Sequence, residues 1–323
     1  MSVEWSLVAD IGGTNARFSA LPLGGLESEY TFNHSVEEHP QFAELIVDVI
    51  KEISSATGWN SAPKNACFAV ACPADKEEIA FTNSHWHFTK SELKGLLNCE
   101  QVWVINDFEA VAHGVTELND KDFVQIGGDA PVADKPIGIL GAGTGLGIAG
   151  LVNLDKGYHV LDTEGGHADF PPINDQQAAV VNLLREEYGR VSLERLLSGK
   201  GILNIYKSLC ALESVDIAFD KPADIVAAAL EGEDSIALQT LNMFCEGMGS
   251  AAGNLALTLG AKGGIYIAGG VVPRFIDFFI KSDFRHKFEE KGRFVSYLKP
   301  IPIFIVVREN LGLLGAAKKL KHI

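Results

Sequence analysis

The stretch VWVINDF, residues 102–108, joins an apolar run to a helical pattern. Residues 102–105 are all apolar, as in a buried strand, and residues 108–115 carry apolar side chains at roughly helical spacing. Asn106 and Asp107 are therefore predicted to lie at the carboxyl end of a strand, where a helix begins. The ligands of open α/β sheets bind at that edge.

Asp107 has two interpretations at this position. A carboxylate at a helix N-terminus faces the positive end of the helix dipole and tends to stay ionised, which is what a general base needs. Alternatively, Asp107 only caps the helix, since Asn and Asp are preferred N-cap residues. This stretch taken alone favours the cap, whereas the motifs elsewhere in the chain favour the base.

The length and charge of the chain limit the number of domains and the kinds of ligand that we expect. At 323 residues it suits two domains better than one small core. The net charge of −15 argues against a nucleic-acid or anionic-membrane surface, because phosphate backbones require clustered Lys and Arg. A small anionic ligand is compatible with this charge if backbone N–H groups and a metal ion supply a positive field.

The cysteines and the apolar segments indicate a cytosolic protein. The five cysteines are scattered and form no CxxC pair, which suggests reduced thiols. A basic segment followed by an apolar core is not found near the N-terminus, so we expect no signal peptide. The most apolar long stretch, residues 251–272, is interrupted by polar residues and glycines and is not predicted to span a membrane.

Two glycine-rich segments, DIGGTN at residues 10–15 and GAGTGLG at residues 141–147, each lie between two strand patterns. Glycines in this setting predict a β-hairpin whose turn needs unusual dihedral angles or closely approaches a ligand. Each hairpin is followed by a third strand pattern and then by helices and strands, which indicates a weak internal duplication. Two such hairpins facing one another across a cleft would supply two sets of backbone N–H donors to one polyphosphate.

The remaining pattern predicts alternating elements, with a domain boundary near residues 116–118. The predicted strands are residues 5–9, 16–21, 30–34, 66–70, 79–81, 102–105, 137–140, 148–154, 158–161, 265–268 and 301–307. The predicted helices are residues 40–57, 91–97, 108–115, 175–188, a segment from 192 onward, 224–230, 234–257, one opened by Pro273, and 311–321.

Two well-known nucleotide motifs are not supported. The GxGxxG match at residues 145–150 is followed by strand-like residues, whereas a dinucleotide fold requires a helix there. The chain contains no GxxxxGK[ST] motif, so a P-loop NTPase is not supported either.

Asp10 and the turn after it suit a phosphate site. The glycines let the backbone approach phosphate oxygens, Thr14 and Asn15 can donate hydrogen bonds to those oxygens, and Asp10 can hold a hydrated Mg²⁺. The alternative is an ordinary tight turn, which one such motif alone would favour. With the second hairpin, around Thr144, a phosphate site and an ordinary tight turn are about equally favoured.

The loop that carries Glu164 and His167 contains two glycines, which argues against a helical metal-binding pair. Both side chains could instead bind neighbouring hydroxyls of a polyol, or His167 could simply bond to the backbone, which the loop alone favours. Glu194 falls in a predicted first helical turn, where it most simply complements the helix dipole.

Two further features also have both a ligand and a structural interpretation. The amide of Asn83 could bind a sugar hydroxyl or form a turn, and the turn is slightly favoured. Gly269 and Gly270 follow a predicted strand and precede a helix, so they could admit a flat group such as adenosine or only provide a flexible connection.

Together these segments resemble the bacterial glucokinases, a hexokinase-like branch of the actin-like ATPase superfamily. Each segment is weak evidence by itself, but the set follows the family's order over nearly the whole chain. The matching segments are DIGGTNAR at 10–17, TNSHW at 82–86, INDF at 105–108, GAGTGLG at 141–147, EGGH at 164–167, ERLLSG at 194–199 and AGGVVPRF at 268–275.

The resemblance implies an α/β, two-domain actin-like ATPase (ribonuclease H-like) fold with a cleft between the domains. The implied domains are residues 1–117 with 308–323, to which the last helix returns, and residues 118–307. The implied activity is ATP-dependent phosphorylation of the glucose 6-hydroxyl to give glucose 6-phosphate and ADP, the first step of glycolysis. The resemblance further implies Mg²⁺, a homodimer and a cytoplasmic location, and we expect no nucleic-acid or membrane partner.

The resemblance also implies roles for individual residues. Asp107 takes the proton from the 6-hydroxyl and contacts the sugar, and Asp10 holds Mg²⁺ through water. The other candidate sugar ligands are Asn83, Asn106, Glu164, His167 and Glu194. The candidate nucleotide ligands are Ala9, Asp10, Ile11, Gly12, Gly13, Thr14 and Thr144 near the phosphates, with Gly269 and Gly270 beside the adenosine.

Two alternatives share this fold: a kinase for another hexose or an amino sugar, and a sugar-sensing binding protein without turnover. Asp107 and the two glycine hairpins argue against the binding protein. The related repressor, open-reading-frame and kinase group has a zinc-binding cysteine cluster after its comparable loop, whereas residues 168–176 contain no cysteine here. This difference, together with the acidic charge, argues against a DNA-binding repressor.

Overall fold

The computed structural model describes residues 3–27, 30–81, 85–155 and 157–321. The chain divides into two compact units. Unit 1 comprises Met1–Asn119 and Arg308–Ile323, and unit 2 comprises Asp120–Val307. Asn83, one of the candidate sugar ligands, lies outside the described residues.

Strands and helices alternate along most of the described chain. The strands are β1 (Trp5–Ile11), β2 (Asn15–Pro22), β3 (Thr31–Ser35), β4 (Asn65–Val70), β5 (Glu78–Ala80), β6 (His87–Thr89), β7 (Gln101–Asn106), β8 (Phe123–Ile126), β9 (Ile137–Ala142), β10 (Leu146–Leu154), β11 (Gly157–Thr163), β12 (Ile265–Ala268) and β13 (Ile303–Val306). The α-helices are α1 (Phe42–Thr57), α2 (Lys90–Leu97), α3 (Asp107–Val115), α4 (Asp175–Tyr188), α5 (Gly199–Glu213), α6 (Pro222–Glu231), α7 (Ser235–Leu259), α8 (Ile276–Lys281), α9 (Phe284–Glu289), α10 (Val295–Leu298) and α11 (Leu311–Lys321). Short 3-10 helices are formed by Gly165–His167, Leu193–Arg195, Val272–Phe275 and Gly292–Phe294.

The two units contain the same strand arrangement. In unit 1 the sheet has the order β3-β2-β1-β4-β7, with β1 antiparallel to β2 and parallel to β4, and β4 parallel to β7. In unit 2 the order is β11-β10-β9-β12-β13-β8, with β9 antiparallel to β10 and parallel to β12. The predicted duplication of a hairpin, a third strand and later strands is therefore confirmed, and β8 is an addition at one edge.

The local sequence explains most of these elements. Strand β4 is covered on both faces, so all its residues except Asn65 are buried and its sequence is continuously apolar rather than alternating. Helix α1 buries one apolar stripe and ends at Gly58, whose φ of 73° suits a residue without a side chain. Such long periodic patterns were predicted within a few residues of the observed bounds.

Helix α11 packs closely against α3 within unit 1. The two backbones approach because residue 315 is glycine: a Cβ there would lie 1.6 Å from the carbonyl oxygen of Ala110. Leu313, Ala316 and Ala317 complete the contact in a core shared with β1 and β4. The last helix of the chain thus supports the helix that follows β7.

The prediction of one helix from residue 192 onward was wrong in its first turns. Leu193–Arg195 forms a 3-10 helix, and Ser192 makes no side-chain capping bond. Helix α5 begins only at Gly199, because the side chain of Ser198 accepts the Gly201 N–H at 3.0 Å and serves as its N-cap.

Strands β6 and β8 were not predicted. Strand β6 has only three residues, and β8 exposes Val124 and Gln125, so neither has an apolar run or a clear alternation. In the described part of the chain, no helix has both the length and the hydropathy needed to cross a bilayer.

Candidate active site

Unit 1 brings two of the predicted segments to one edge of its sheet. Ile11 pairs with Val70, and Val70 pairs with Asn106, all at the carboxyl ends of parallel strands. Adjacent strands lie about 4.8 Å apart, so the start of the first glycine turn and Asn106 are roughly 10 Å apart. This register places Asp107, the residue after Asn106, at the carboxyl edge of the sheet, as predicted.

Asn106, rather than Asp107, caps helix α3. Its side-chain Oδ1 accepts the N–H groups of Phe108 at 2.8 Å and Glu109 at 3.3 Å. Its Nδ2 donates to the carbonyl oxygen of Cys72 at 3.5 Å. The alternative in which Asp107 is merely the cap is therefore wrong, and Asp107 is the first residue of the helix proper.

Asp107 lies half-buried in the first turn of α3, where the helix dipole favours an ionised carboxylate. It lies close enough to Cys72 to affect that thiol. Burial first, and then the charge of Asp107, raise the pKa of Cys72 to about 11. Cys72 is therefore a neutral thiol at physiological pH, beside the candidate base.

The first glycine turn presents exposed polar groups next to a half-buried carboxylate. Gly12 N–H donates to the Asn15 carbonyl at 2.9 Å, and Thr14 and Asn15 are exposed at its tip. Asp10 lies at the end of β1 with 22% of its side chain exposed, and Oδ2 is 3.7 Å from Nη1 of Arg17. Burial raises the pKa of Asp10, and the charge of Arg17 partly opposes this.

The groups around Asp10 fit a cation that takes most of its ligands from water and from the phosphates of a substrate. In the described ranges, no three His, Cys, Asp or Glu side chains group together as a metal site. Mg²⁺ usually keeps several waters and binds one or two carboxylates together with substrate phosphates. A single carboxylate beside a turn with exposed donors matches that requirement, and a nearby cation would favour the ionised form of Asp10.

In unit 2 the second glycine turn lies beside Gly269 and Gly270. Gly143 N–H donates to the Gly145 carbonyl at 2.9 Å, and Thr144 is exposed at the tip. Gly269 has φ 85°, and a Cβ on it would lie 2.4 Å from the carbonyl oxygen of Ala142, the residue before the turn. A Cβ on Gly270 would meet no atom within 4 Å. The predicted phosphate and adenosine contacts of unit 2 are thus neighbours.

The three predicted sugar ligands of unit 2 lie around Leu146, the first residue of β10. Oε2 of Glu194 accepts the Leu146 N–H at 3.0 Å. Gly166 packs on the other side, where a Cβ would lie 1.9 Å from the Leu146 carbonyl oxygen. Glu164 and His167 flank Gly166 with exposed side chains, and Nε2 of His167 is 3.9 Å from Oε2 of Glu164.

Sequence reasoning missed three contacts at these sites. It did not identify Cys72 beside Asp107, or the bond from Leu146 to Glu194, because neither has a local pattern. It also missed Gly312 of α11, which lies against the carboxylate of Asp10, although a glycine inside a helical pattern can indicate close packing.

Comparisons with known proteins identify relatives over nearly the whole chain. A sequence model of the glucokinase family matches residues 7–323. The glucokinase of Tolumonas auensis is 43% identical over 319 residues, which cover 99% of this chain and 98% of that relative. Among solved structures, the glucokinase from an Antarctic psychrotroph aligns with a TM-score of 0.86 and 35% identity, covering 99% of each chain.

A more distant solved structure extends the likeness of fold. The glucokinase from Balamuthia mandrillaris, solved in complex with glucose, aligns with a TM-score of 0.82 at 22% identity, covering 99% of this chain and 94% of that one. The predicted α/β fold of the actin-like ATPase type is confirmed by these structural neighbours.

Proposed function

The chain belongs to the glucokinase family, and from this premise we propose that it phosphorylates glucose with ATP and that Asp107 is its general base. One observation carries the assignment of the base. The register of β1, β4 and β7 places Asp107 at the same sheet edge as Asp10 and the first glycine turn. The carboxylate that accepts the proton and the turn that binds phosphate thus belong to one edge.

The reaction requires a positioned base and little covalent chemistry from the protein. As the 6-oxygen of glucose attacks the γ-phosphorus, its proton passes to the Asp107 carboxylate, and the bond from the γ-phosphorus to the bridging oxygen of ADP breaks. Phosphoryl transfer depends mainly on alignment and on stabilisation of charge. The N-terminal end of the α3 dipole favours the negatively charged form of a carboxylate, which is the form that accepts a proton.

Further charged and polar side chains are proposed to bind the other hydroxyls of glucose. They are Asn106, Glu164, His167 and Glu194, with Asn83 as a further candidate. The Oδ1 of Asn106 is already engaged as the cap, so Nδ2 is its remaining group for a sugar oxygen. A sugar that lacked a hydroxyl would leave a charged group without a partner, which would disfavour it against glucose.

The glycine turns are proposed to bind the nucleotide. Backbone N–H groups of residues 9–14 and the turn around Thr144 would contact the phosphates, and Gly269 and Gly270 would contact the adenosine. Mg²⁺, held by Asp10 through water, would supply positive charge to the phosphate oxygens. We further propose that units 1 and 2 correspond to the domains 1–117 with 308–323 and 118–307, in a cytoplasmic homodimer.

The test is a sugar panel with the full-length protein, Mg²⁺ and ATP, followed by coupled release of ADP. Glucose is compared with mannose, galactose, fructose, glucosamine and N-acetylglucosamine, and phosphorus NMR locates the new phosphate. We expect the highest kcat/KM for glucose and a 6-phosphate product. A higher value for an amino sugar would reassign the substrate, and no product from any sugar would favour a sugar-binding protein without turnover.

A further inference from the structure

Glu194 is bonded to the second glycine turn at the point where the turn enters β10. Its Oε2 accepts the Leu146 N–H at 3.0 Å. The same oxygen occupies the space beside Gly145, where a Cβ would lie 2.4 Å away. Glycine at position 145 is thus what allows the carboxylate to reach the backbone of the turn.

The segment that carries Glu194 holds the turn at a second point. Gly199, the first residue of α5, donates its N–H to the Gly143 carbonyl at 2.9 Å. The Ser198 hydroxyl donates to the backbone carbonyl of Glu194 at 2.8 Å, which links the Glu194 backbone to the start of α5. The turn at residues 143–145 is therefore held on both sides by residues 194–199.

The second carboxylate oxygen of Glu194 is not used in this way. Oε1 has no hydrogen-bond partner among residues 3–27, 30–81, 85–155 and 157–321, and the side chain is half-exposed. One oxygen is thus committed to the turn, while the other can accept from a ligand hydroxyl.

We propose that Glu194 is a positioning residue for the nucleotide as well as a sugar ligand, and that it couples the two sites of the reaction. Oε2 holds the turn in the shape that binds ATP phosphates, while Oε1 receives a sugar hydroxyl. A sugar that orders the carboxylate also orders the turn, so bound sugar tightens nucleotide binding and, by linkage, bound nucleotide tightens sugar binding to the same degree. The proposal rests on the proposed kinase function.

The first measurement is the affinity for Mg²⁺ with a non-hydrolysable ATP analogue, by calorimetry on the full chain with no sugar present. Glu194→Ala removes the acceptor of the Leu146 N–H, and we expect its Kd for the analogue to rise about tenfold. Glu194→Gln keeps a side-chain oxygen that can accept from Leu146, so its Kd should stay within about twofold of wild type. Its affinity for glucose should nevertheless fall, since the negative charge is lost.

A double-mutant cycle tests the contact itself. Gly145 does not have a positive φ, so alanine fits its backbone, but the new methyl group would push the Glu194 carboxylate away. Gly145→Ala should therefore raise the Kd for the analogue about tenfold in the wild-type background and by less than about twofold beside Glu194→Ala. Glu186→Ala and Glu186→Gln are matched controls at an exposed glutamate on α4, and thermal melts verify that each variant folds.

The outcomes separate this proposal from the proposed function. If wild type phosphorylates glucose and binds the analogue, but Glu194→Ala binds it equally well, the coupling is refuted while the kinase assignment stands. Equal losses in Glu194→Ala and Glu194→Gln, or additive effects with Gly145→Ala, also overturn it. A wild-type protein that binds neither analogue nor glucose would instead contradict the proposed function. If Glu194→Ala does not fold, Glu194→Gln and Gly145→Ala are compared with wild type instead. The proposal then requires Gly145→Ala to weaken analogue binding and Glu194→Gln to leave it unchanged, and any other result overturns it.

Discussion

Gly312, the second residue of α11, lies directly against the carboxylate of Asp10, and a Cβ built on it would be 2.9 Å from both Cγ and Oδ2 of Asp10. The two residues are 302 positions apart in the chain, yet the helix that ends the chain sets the space available to the candidate Mg²⁺ carboxylate. Any side chain at position 312 must displace Asp10 or move the start of the helix.

We therefore expect Gly312→Ala to impair the proposed nucleotide site around Asp10 more than the fold. Overpacking of this kind costs about 1–3 kcal/mol of stability. Displacing Asp10 should lower kcat at least tenfold, an estimate of about 1.4 kcal/mol in the transition state, and raise the Mg²⁺ concentration at half-maximal rate. Urea unfolding and Mg²⁺ titrations measure the two effects separately.

Gly95→Ala is the matched control for Gly312→Ala. Gly95 lies inside α2, and a Cβ there would meet nothing within 4 Å. Alanine should stabilise that helix by up to about 1 kcal/mol and leave the Mg²⁺ requirement unchanged. An unaltered Mg²⁺ requirement in Gly312→Ala would show that Asp10 does not depend on this contact.

The capping role of Asn106 predicts a separation of stability from sugar affinity. Asn106→Ala removes the acceptor for two N–H groups at the start of α3 and should cost about 1 kcal/mol of stability. Asn106→Ser keeps a capping oxygen and should retain most of that stability. Both variants lose Nδ2, so both should show a raised KM for glucose.

Steady-state kinetics and urea unfolding of both Asn106 variants check this prediction. Because the cap sets the first turn of α3, which carries Asp107, kcat should fall further in Asn106→Ala than in Asn106→Ser. If the serine variant loses as much stability and kcat as the alanine variant, the cap does not position the base.

Asp107→Asn should nearly abolish glucose phosphorylation and spare the fold. A positioned general base contributes on the order of 10²–10⁴-fold, so we expect kcat to fall about 10³-fold. The neutral amide also lacks the favourable interaction of the carboxylate with the helix dipole, which costs about 0.3–1 kcal/mol of stability. A coupled ADP-release assay measures the rate, and near-normal turnover by a folded variant refutes the assignment of the base.

Sequence patterns predicted those parts of the site that depend on neighbouring residues. The apolar run before Asn106 and the helical spacing after Asp107 were enough to place both at a strand–helix junction. The sequence could not predict which of the two residues caps α3, because Asn and Asp are both good N-cap residues. Asn106 is the cap because its backbone is extended, with φ −63° and ψ 147°. Ser192 and Ser198 are likewise both good N-cap residues, and only Ser198 makes a capping bond in the structure.

Contacts between distant segments could not be predicted in this way. The Leu146 N–H that Glu194 accepts is 48 residues away, and its position depends on how the loop at residues 164–168 packs between β10 and residues 193–195. Glu194 by itself has the pattern of an ordinary first-turn carboxylate. Its role at the glycine turn results from tertiary packing, which no local periodicity records.

The ion pair between Glu109 on α3 and Lys319 on α11 predicts a pH-dependent stability. Lys319 Nζ donates to Glu109 Oε1 at 3.0 Å, and His113 Nε2 lies 3.5 Å from the same oxygen. Burial alone would raise the pKa of Glu109, but the adjacent His113 ring and the hydrogen bond and charge of Lys319 outweigh it and hold the pKa below its usual value of 4.5. Because the folded-state pKa is depressed, the pair stabilises the protein above about pH 4.5 and loses this effect as the pH falls through the folded-state pKa.

Lys319→Met should therefore destabilise the protein most near neutral pH. Leaving a largely buried carboxylate without its ammonium partner costs on the order of 3 kcal/mol, and the difference from wild type should shrink towards pH 3 as Glu109 becomes protonated. Adding Glu109→Gln to Lys319→Met should restore much of the loss, since no buried charge then remains. Lys51→Met, which breaks the exposed pair with Asp48, is the control and should leave the stability nearly unchanged at every pH. Urea unfolding at a series of pH values gives the comparison, and a penalty for Lys319→Met that does not vary with pH contradicts the assignment of the pair to Glu109.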